Sequence, residues 1–124
     1  MGDQYTVLIA DDSAFVRKVV ASHLTGTEFS VVAEAGNGEE ALQLFREHRP
    51  DVVLLDVIMP DKTGPEALEA MATESPSVNV LVLSSMGSEE VVNGCLAAGA
   101  KGFLQKPFEK EALLTQMRGM MGSA

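Results

Sequence analysis

Several short apolar runs in this chain end on residues that can bind cations or phosphoryl oxygens. VLIA (7–10) leads into Asp11-Asp12, VVLL (52–55) into Asp56, VLVL (80–83) into Ser84-Ser85, and the weaker FLQ (103–105) into Lys106-Pro107. Asp56 is the odd one. VVLLDVIMP is apolar enough to be buried on both faces, yet it delivers a carboxylate with no basic residue beside it. Taken singly, each residue has an ordinary reading: Asp12 or Ser13 as a helix cap, Asp56 as a loop acid, Lys106 as a surface lysine, Ser84 as a strand end. Taken together they suggest chemistry. Clustered carboxylates raise one another's pKa unless a cation joins them. Oxygen ligands supplemented by water suit Mg²⁺, which prefers octahedral coordination and seldom uses an all-protein cage. Lys106 adds a compact positive charge on a long stem, and Ser84 adds a hydroxyl donor. A divalent ion, a lysine and a hydroxyl around one carboxylate stabilise the oxygens of a transferring phosphoryl group. On that reading Asp56 is neutralised from other strands, not by its sequence neighbours.

The elements that would gather these residues are legible as alternating patterns. VLIA, VVA (31–33), VVLL, VLVL and FL (103–104) are continuous apolar runs, as expected of parallel strands covered on both faces. Between them lie amphipathic stripes: Val16, Val19, Val20 and Leu24; Ala41, Leu44 and Phe45; Leu68, Met71 and Ala72; Val92, Cys95 and Leu96; Leu113, Met117, Met120 and Met121. Gly36-Asn37-Gly38, Gly64-Pro65, Ser75-Pro76 and Gly99 punctuate them, with Pro65 suited to a first helical turn. Five strands alternating with five helices make an α/β (βα)5 chain with a parallel, doubly wound sheet. In such a sheet the strand ends share one edge, where ligands bind at the switch in strand order. If the first and third strands are neighbours, Asp11, Asp12 and Asp56 converge there.

Composition narrows the function classes. At 124 residues the chain reads as a single domain, residues 1–124. Eighteen acidic against nine basic residues give a net charge of −9, which argues against a nucleic-acid partner. No apolar run is long enough to span a membrane, and MGDQYTV lacks the regions of a secretory signal. Gly2 and Thr6 fit the loose acylation pattern, but Thr6 reads as the start of a strand. One cysteine, Cys95, leaves no internal disulfide and fits a cytoplasmic location. Its place on an apolar stripe makes it a small core residue, and most of the methionines read as core filler. His23 and His48 read as helix-surface residues.

The segments IADDSAFVRK (9–18), LLDVIMPDKTG (54–64), VLSSM (82–86) and AGAKGFLQKPF (98–108) together resemble a response-regulator receiver domain, close to the single-domain chemotaxis regulators. The resemblance runs from about residue 6 to 120. It implies a flavodoxin-like five-stranded sheet of order 2-1-3-4-5. It also implies that Asp56 is the phosphoacceptor, with Mg²⁺ held by Asp11, Asp12, Asp56 and the backbone carbonyl of Ile58. Ser84 and Lys106 would contact the phosphoryl group, Phe103 would change rotamer on activation, and the Lys106-Pro107 bond would be cis. Ile58 and Met86 would stand at the mouth of the site. A histidine kinase would be the phosphodonor, and a protein target would bind the surface of the fourth helix, fifth strand and fifth helix. Whether a dimer forms on phosphorylation is left open.

Rival readings fit less well. A flavodoxin-type electron carrier needs a hydroxyl-rich loop after the first strand and aromatics to stack a flavin. An aspartyl-nucleophile phosphatase carries D-x-D where this chain has D-D. The P-loop pattern is absent. The expectation is therefore a switch that catalyses only its own phosphorylation and dephosphorylation. Ending at MRGMMGSA, it reads as a stand-alone regulator, with a receiver cut from a longer protein as the alternative.

Overall fold

A computed structural model describes residues 4–59 and 64–121; the acylation pattern at Gly2 and residues 60–63 of the LLDVIMPDKTG segment lie outside them. The elements follow the alternation read from the sequence: β1 (Tyr5–Ala10), α1 (Ala14–Leu24), β2 (Phe29–Ala35), α2 (Gly38–His48), β3 (Val52–Leu55), α3 (Gly64–Glu74), β4 (Asn79–Ser84), α4 (Glu89–Ala97), β5 (Gly102–Gln105) and α5 (Lys110–Met120). The five strands form a parallel sheet in the order β2-β1-β3-β4-β5. This is the flavodoxin-like fold the resemblance implied.

Two apolar cores explain the continuous hydrophobic runs. Leu8, Ala10, Val53, Leu55, Val80 and Val82 face α2, α3 and α4 through Phe45, Leu68, Met71 and Cys95. The alternate residues Val7, Ile9, Val52, Leu54, Leu81 and Leu83 face α1 and α5 through Val20, Leu24, Leu113 and Met117. The central strands β1, β3 and β4 are therefore covered on both faces. In contrast, β2, expected from VVA (31–33) to be covered likewise, lies at the sheet edge and leaves Val32 38% exposed. Cys95 is buried, as its stripe suggested, and burial pushes its thiol up. Two stripe residues differ from expectation: Val19 is 36% exposed and Leu96 is 44% exposed. On α1 the buried seam runs through Val16, Val20 and Leu24 at four-residue spacing, which puts Val19 on its flank. On α4 the seam is Val91, Cys95 and Ala98, and Leu96 turns about 100° away from Cys95. Among the described residues, no helix is long and apolar enough to cross a membrane.

Caps fix where the helices begin. The Ser13 hydroxyl accepts from the Val16 N–H, Asn37 Oδ1 from the Glu40 N–H, and Ser88 Oγ from the Val91 N–H. Ser13, rather than Asp12, is thus the cap of α1, which leaves Asp12 free for another role. The α4 exit is a Schellman turn. Gly99 N–H donates to the Leu96 carbonyl, Ala100 N–H donates to that of Cys95, and Gly99 has φ +116°.

A Cβ on Gly99 would lie 2.3 Å from that of Ala72 on α3, in addition to the unfavourable φ. Gly99→Ala should therefore cost about 2–4 kcal/mol, measured by urea unfolding. Adding Ala72→Gly should recover the packing part only; complete recovery would show that φ carries no cost.

Candidate functional site

Asp11, Asp56 and Lys106 each sit just past a strand and extend the hydrogen-bond ladder of the sheet. Asp11 N–H donates to the Ala35 carbonyl (3.0 Å), Asp56 N–H to Ala10 (2.9 Å) and Lys106 N–H to Ser84 (2.8 Å). Because β1 and β3 are neighbours, Asp11, Asp12 and Asp56 meet, each offering a carboxylate oxygen within 4.8 Å of the others. Asp11 and Asp56 are buried and Asp12 is exposed, so the cluster opens to solvent on the Asp12 side.

Lys106 joins the cluster from β5. Its Nζ donates to Asp11 Oδ2 at 2.6 Å and to Asp56 Oδ2 at 3.0 Å. The Lys106-Pro107 bond is cis. The remaining oxygen of each acid is held by an amide two residues on: Ser13 N–H donates to Asp11 Oδ1 at 2.9 Å, and Ile58 N–H to Asp56 Oδ1 at 2.8 Å. Burial pushes the Asp56 carboxyl above its ordinary value, although the Ile58 amide and the Lys106 ammonium pull it back. Burial lowers Lys106, but its hydrogen bonds to Asp11 and Asp56 prevail and hold it above the ordinary lysine value.

Ser84 is fully buried at the end of β4, and its Oγ accepts from the Met86 N–H at 3.1 Å. Phe103, on β5, packs partly buried against the core shared with α4. Ile58 and Met86 are half-exposed at 49% and 50%. Their N–H groups donate to Asp56 and Ser84, which puts the backbone of both residues beside the site.

The donor set fits the hard cation expected from the sequence. Three carboxylates against one ammonium leave an excess of two negative charges, with oxygen donors only. Mg²⁺ suits such a site. Sequence reasoning missed Arg17, whose Nη1 donates to the Asp11 carbonyl at 2.6 Å and whose Nε donates to Glu34 Oε1 at 3.1 Å. The available signal was a cation one helical turn past the α1 cap, which reads equally as a solvated helix residue.

Comparison with known proteins agrees with this geometry. The family model of the response regulator receiver domain matches residues 7–118. The chain is 40% identical over 108 residues to the chemotaxis protein CheY of Listeria monocytogenes, covering 87% of this chain and 91% of that protein. It is 37% identical over 110 residues to the CheY of Bacillus subtilis, covering 89% and 92%. Among solved structures it resembles the CheY of a CheX–CheY–BeF3–Mg complex from Borrelia burgdorferi. The TM-score is 0.92 and the identity 32%, over 97% of this chain and 91% of that one. A doubly wound sheet with three carboxylates and a lysine at its switch edge, and a family match across nearly its whole length, show that the chain belongs to the response-regulator receiver domain family.

Proposed function

We infer that this receiver accepts a phosphoryl group on Asp56 from a histidine kinase, with Mg²⁺ at the site, and signals through the α4-β5-α5 face. The observation that carries the reading is the bridge from Lys106 to Asp11 and Asp56, beside the opening at Asp12. A carboxylate oxygen of Asp56 attacks phosphorus, the phosphorus–nitrogen bond of the phosphohistidine breaks, and its electron pair leaves on the imidazole. Mg²⁺, when bound by Asp11, Asp12, Asp56 and the Ile58 carbonyl, neutralises the charge of the crevice and of the incoming group. Lys106 holds two carboxylates in place and is positioned to turn its ammonium to phosphoryl oxygens. The relative of this chain seen with BeF3 and Mg supports the same chemistry here. Hydrolysis then returns Asp56 to its carboxylate, so the protein acts only on itself.

Output follows from the neighbours of the site. Ser84 is buried at the end of β4, the strand that lies between β3, which leads into Asp56, and β5, which carries Phe103. A phosphoryl group on Asp56 draws the Ser84 hydroxyl inward, and Phe103 fills the space released. This changes the surface that α4, β5 and α5 offer a protein partner.

Labelling with a small acyl phosphate and Mg²⁺ tests the chemistry directly. Asp56→Asn should take up no label and Asp12→Ala should lose Mg²⁺-dependent labelling while remaining folded. Label on Asp56→Asn would move the phosphoacceptor elsewhere, and many turnovers of released phosphate would indicate a phosphatase.

Stability against pH tests the burial of Asp56. With its folded-state value raised above 3.8, the folded chain binds that proton more tightly than the unfolded chain. Ionisation therefore opposes folding as pH rises through the folded-state value, and the penalty is absent at pH below the unfolded one. Asp56→Asn should be more stable than the parent at pH 7, with the gap closing towards pH 4 in urea melts. An equal gap at both pH values would assign the effect to something other than ionisation.

The apolar rim bears on lifetime. Hydrolysis requires an in-line water, and Ile58 and Met86, which the family resemblance places at the mouth of the site, are apolar and would crowd a water without orienting it. A long-lived acyl phosphate is expected. Ile58→Asn with Met86→Glu should shorten its lifetime roughly tenfold by orienting that water, followed as loss of label in Mg²⁺ buffer. An unchanged or longer lifetime would remove the rim from control of decay.

A further inference from the structure

Asp12 is the least supported of the three acids. Both oxygens of Asp11 and both of Asp56 accept hydrogen bonds. Among the described residues, none reaches the exposed Asp12 carboxylate, so its aim depends on its backbone. That backbone is held by Arg17, because the Asp11 carbonyl it grips at 2.6 Å belongs to the peptide joining Asp11 to Asp12. Arg17 is itself held by Glu34 on β2, and its side chain is mostly buried.

Glu34 is there because β2 is irregular. Val7 pairs with Val31, but Leu8 pairs with Ala33, so Val32 is an extra residue. In an unbroken register Ile9 would pair with Ala33, and Glu34 would turn to the α2 face. After the bulge Ile9 pairs with Glu34, which places Glu34 on the face of Phe29 and Val31, the one α1 covers. Bulges beside functional sites re-aim side chains in this way. The guanidinium then uses two donors of its fixed fork, Nε on Glu34 and Nη1 on the Asp11 carbonyl.

We propose that Arg17, clamped by Glu34 across the β2 bulge, is a positioning residue that fixes the Asp11–Asp12 peptide and so preorganises Asp12 for Mg²⁺. This rests on the Mg²⁺ reading of the site. Partners of that kind set metal affinity by orienting the ligand that touches the ion. A role limited to tying α1 to β2 predicts a different result. Removing a cation near an acidic cluster would, by Coulomb's law alone, tighten Mg²⁺ binding; loss of positioning weakens it. The sign separates the two.

Mg²⁺ titrated calorimetrically into the whole protein supplies the test. Arg17→Gln should raise the Kd about tenfold, Arg17→Lys should fall between it and the parent, and Glu34→Ala should raise it about threefold. Labelling of Arg17→Gln by a small acyl phosphate should return to the parent rate at saturating Mg²⁺. A folded Arg17→Gln whose Kd is unchanged or lower would overturn the proposal, even if that variant were less stable. Should Arg17→Gln fail to fold, Glu34→Ala decides, since it alters an exposed edge-strand residue, and an unchanged Kd there also overturns it. A parent protein that binds no Mg²⁺ would instead defeat the metal reading, and the proposal with it.

Discussion

The site depends on one ammonium reaching three strands across the sheet. β5 and β1 are separated by β4 and β3, about 14 Å at ordinary strand spacing, yet Lys106 contacts the acid that follows β1. Without it, Asp11 and Asp56 would be two buried carboxylates facing each other, an arrangement whose desolvation and repulsion oppose ionisation. Its path crosses the end of β4, where Ser84 is small and fully buried. A long side chain there would occupy that space.

The fold serves this electrostatic arrangement by making the sheet edge stiff. Both faces of β1, β3 and β4 are packed, so the strands that carry the acids have no soft side. The far edge of the sheet shows what the same residue type does elsewhere. Asp51, just before β3, accepts from Thr6 N–H at 2.8 Å, while its own N–H donates to Thr6 Oγ1 and to the Thr6 carbonyl. Asp51 ties two strand starts together. Asp56, just past the other end of the same strand, has a buried carboxylate held by Lys106.

Much of this was legible in the sequence because it rests on strong periodicity and on strand ends. The runs VLIA, VVLL and VLVL could be covered on both faces only in a parallel sheet, and that topology sends Asp11, Asp56 and Ser84 to one edge. The bulge at Val32 was not legible. FSVVAEA alternates poorly whichever register is chosen, so the face taken by Glu34 depends on pairing with β1. The exposure of Val19 and Leu96 was hidden for a related reason, since a hydrophobic stripe marks a helix face but not its width. Arg17 was overlooked because its partner is a carbonyl, and a carbonyl leaves no mark in a sequence.

Placing the reactive residues as the last rungs of the ladder has a consequence for how this protein breathes. Sites carried on loops usually open locally, and their amides exchange with solvent far faster than those of the core. Here the N–H groups of Asp11, Asp56 and Lys106 are bonded to the ends of β2, β1 and β4. The Asp56 N–H joins two strands that are packed on both faces, whereas the Asp11 N–H is bonded to β2, an edge strand with Val32 38% exposed. Deuterium should therefore enter the Asp56 amide more slowly than the Asp11 amide, so the backbone that carries Asp56 stays in place while side chains around it rearrange.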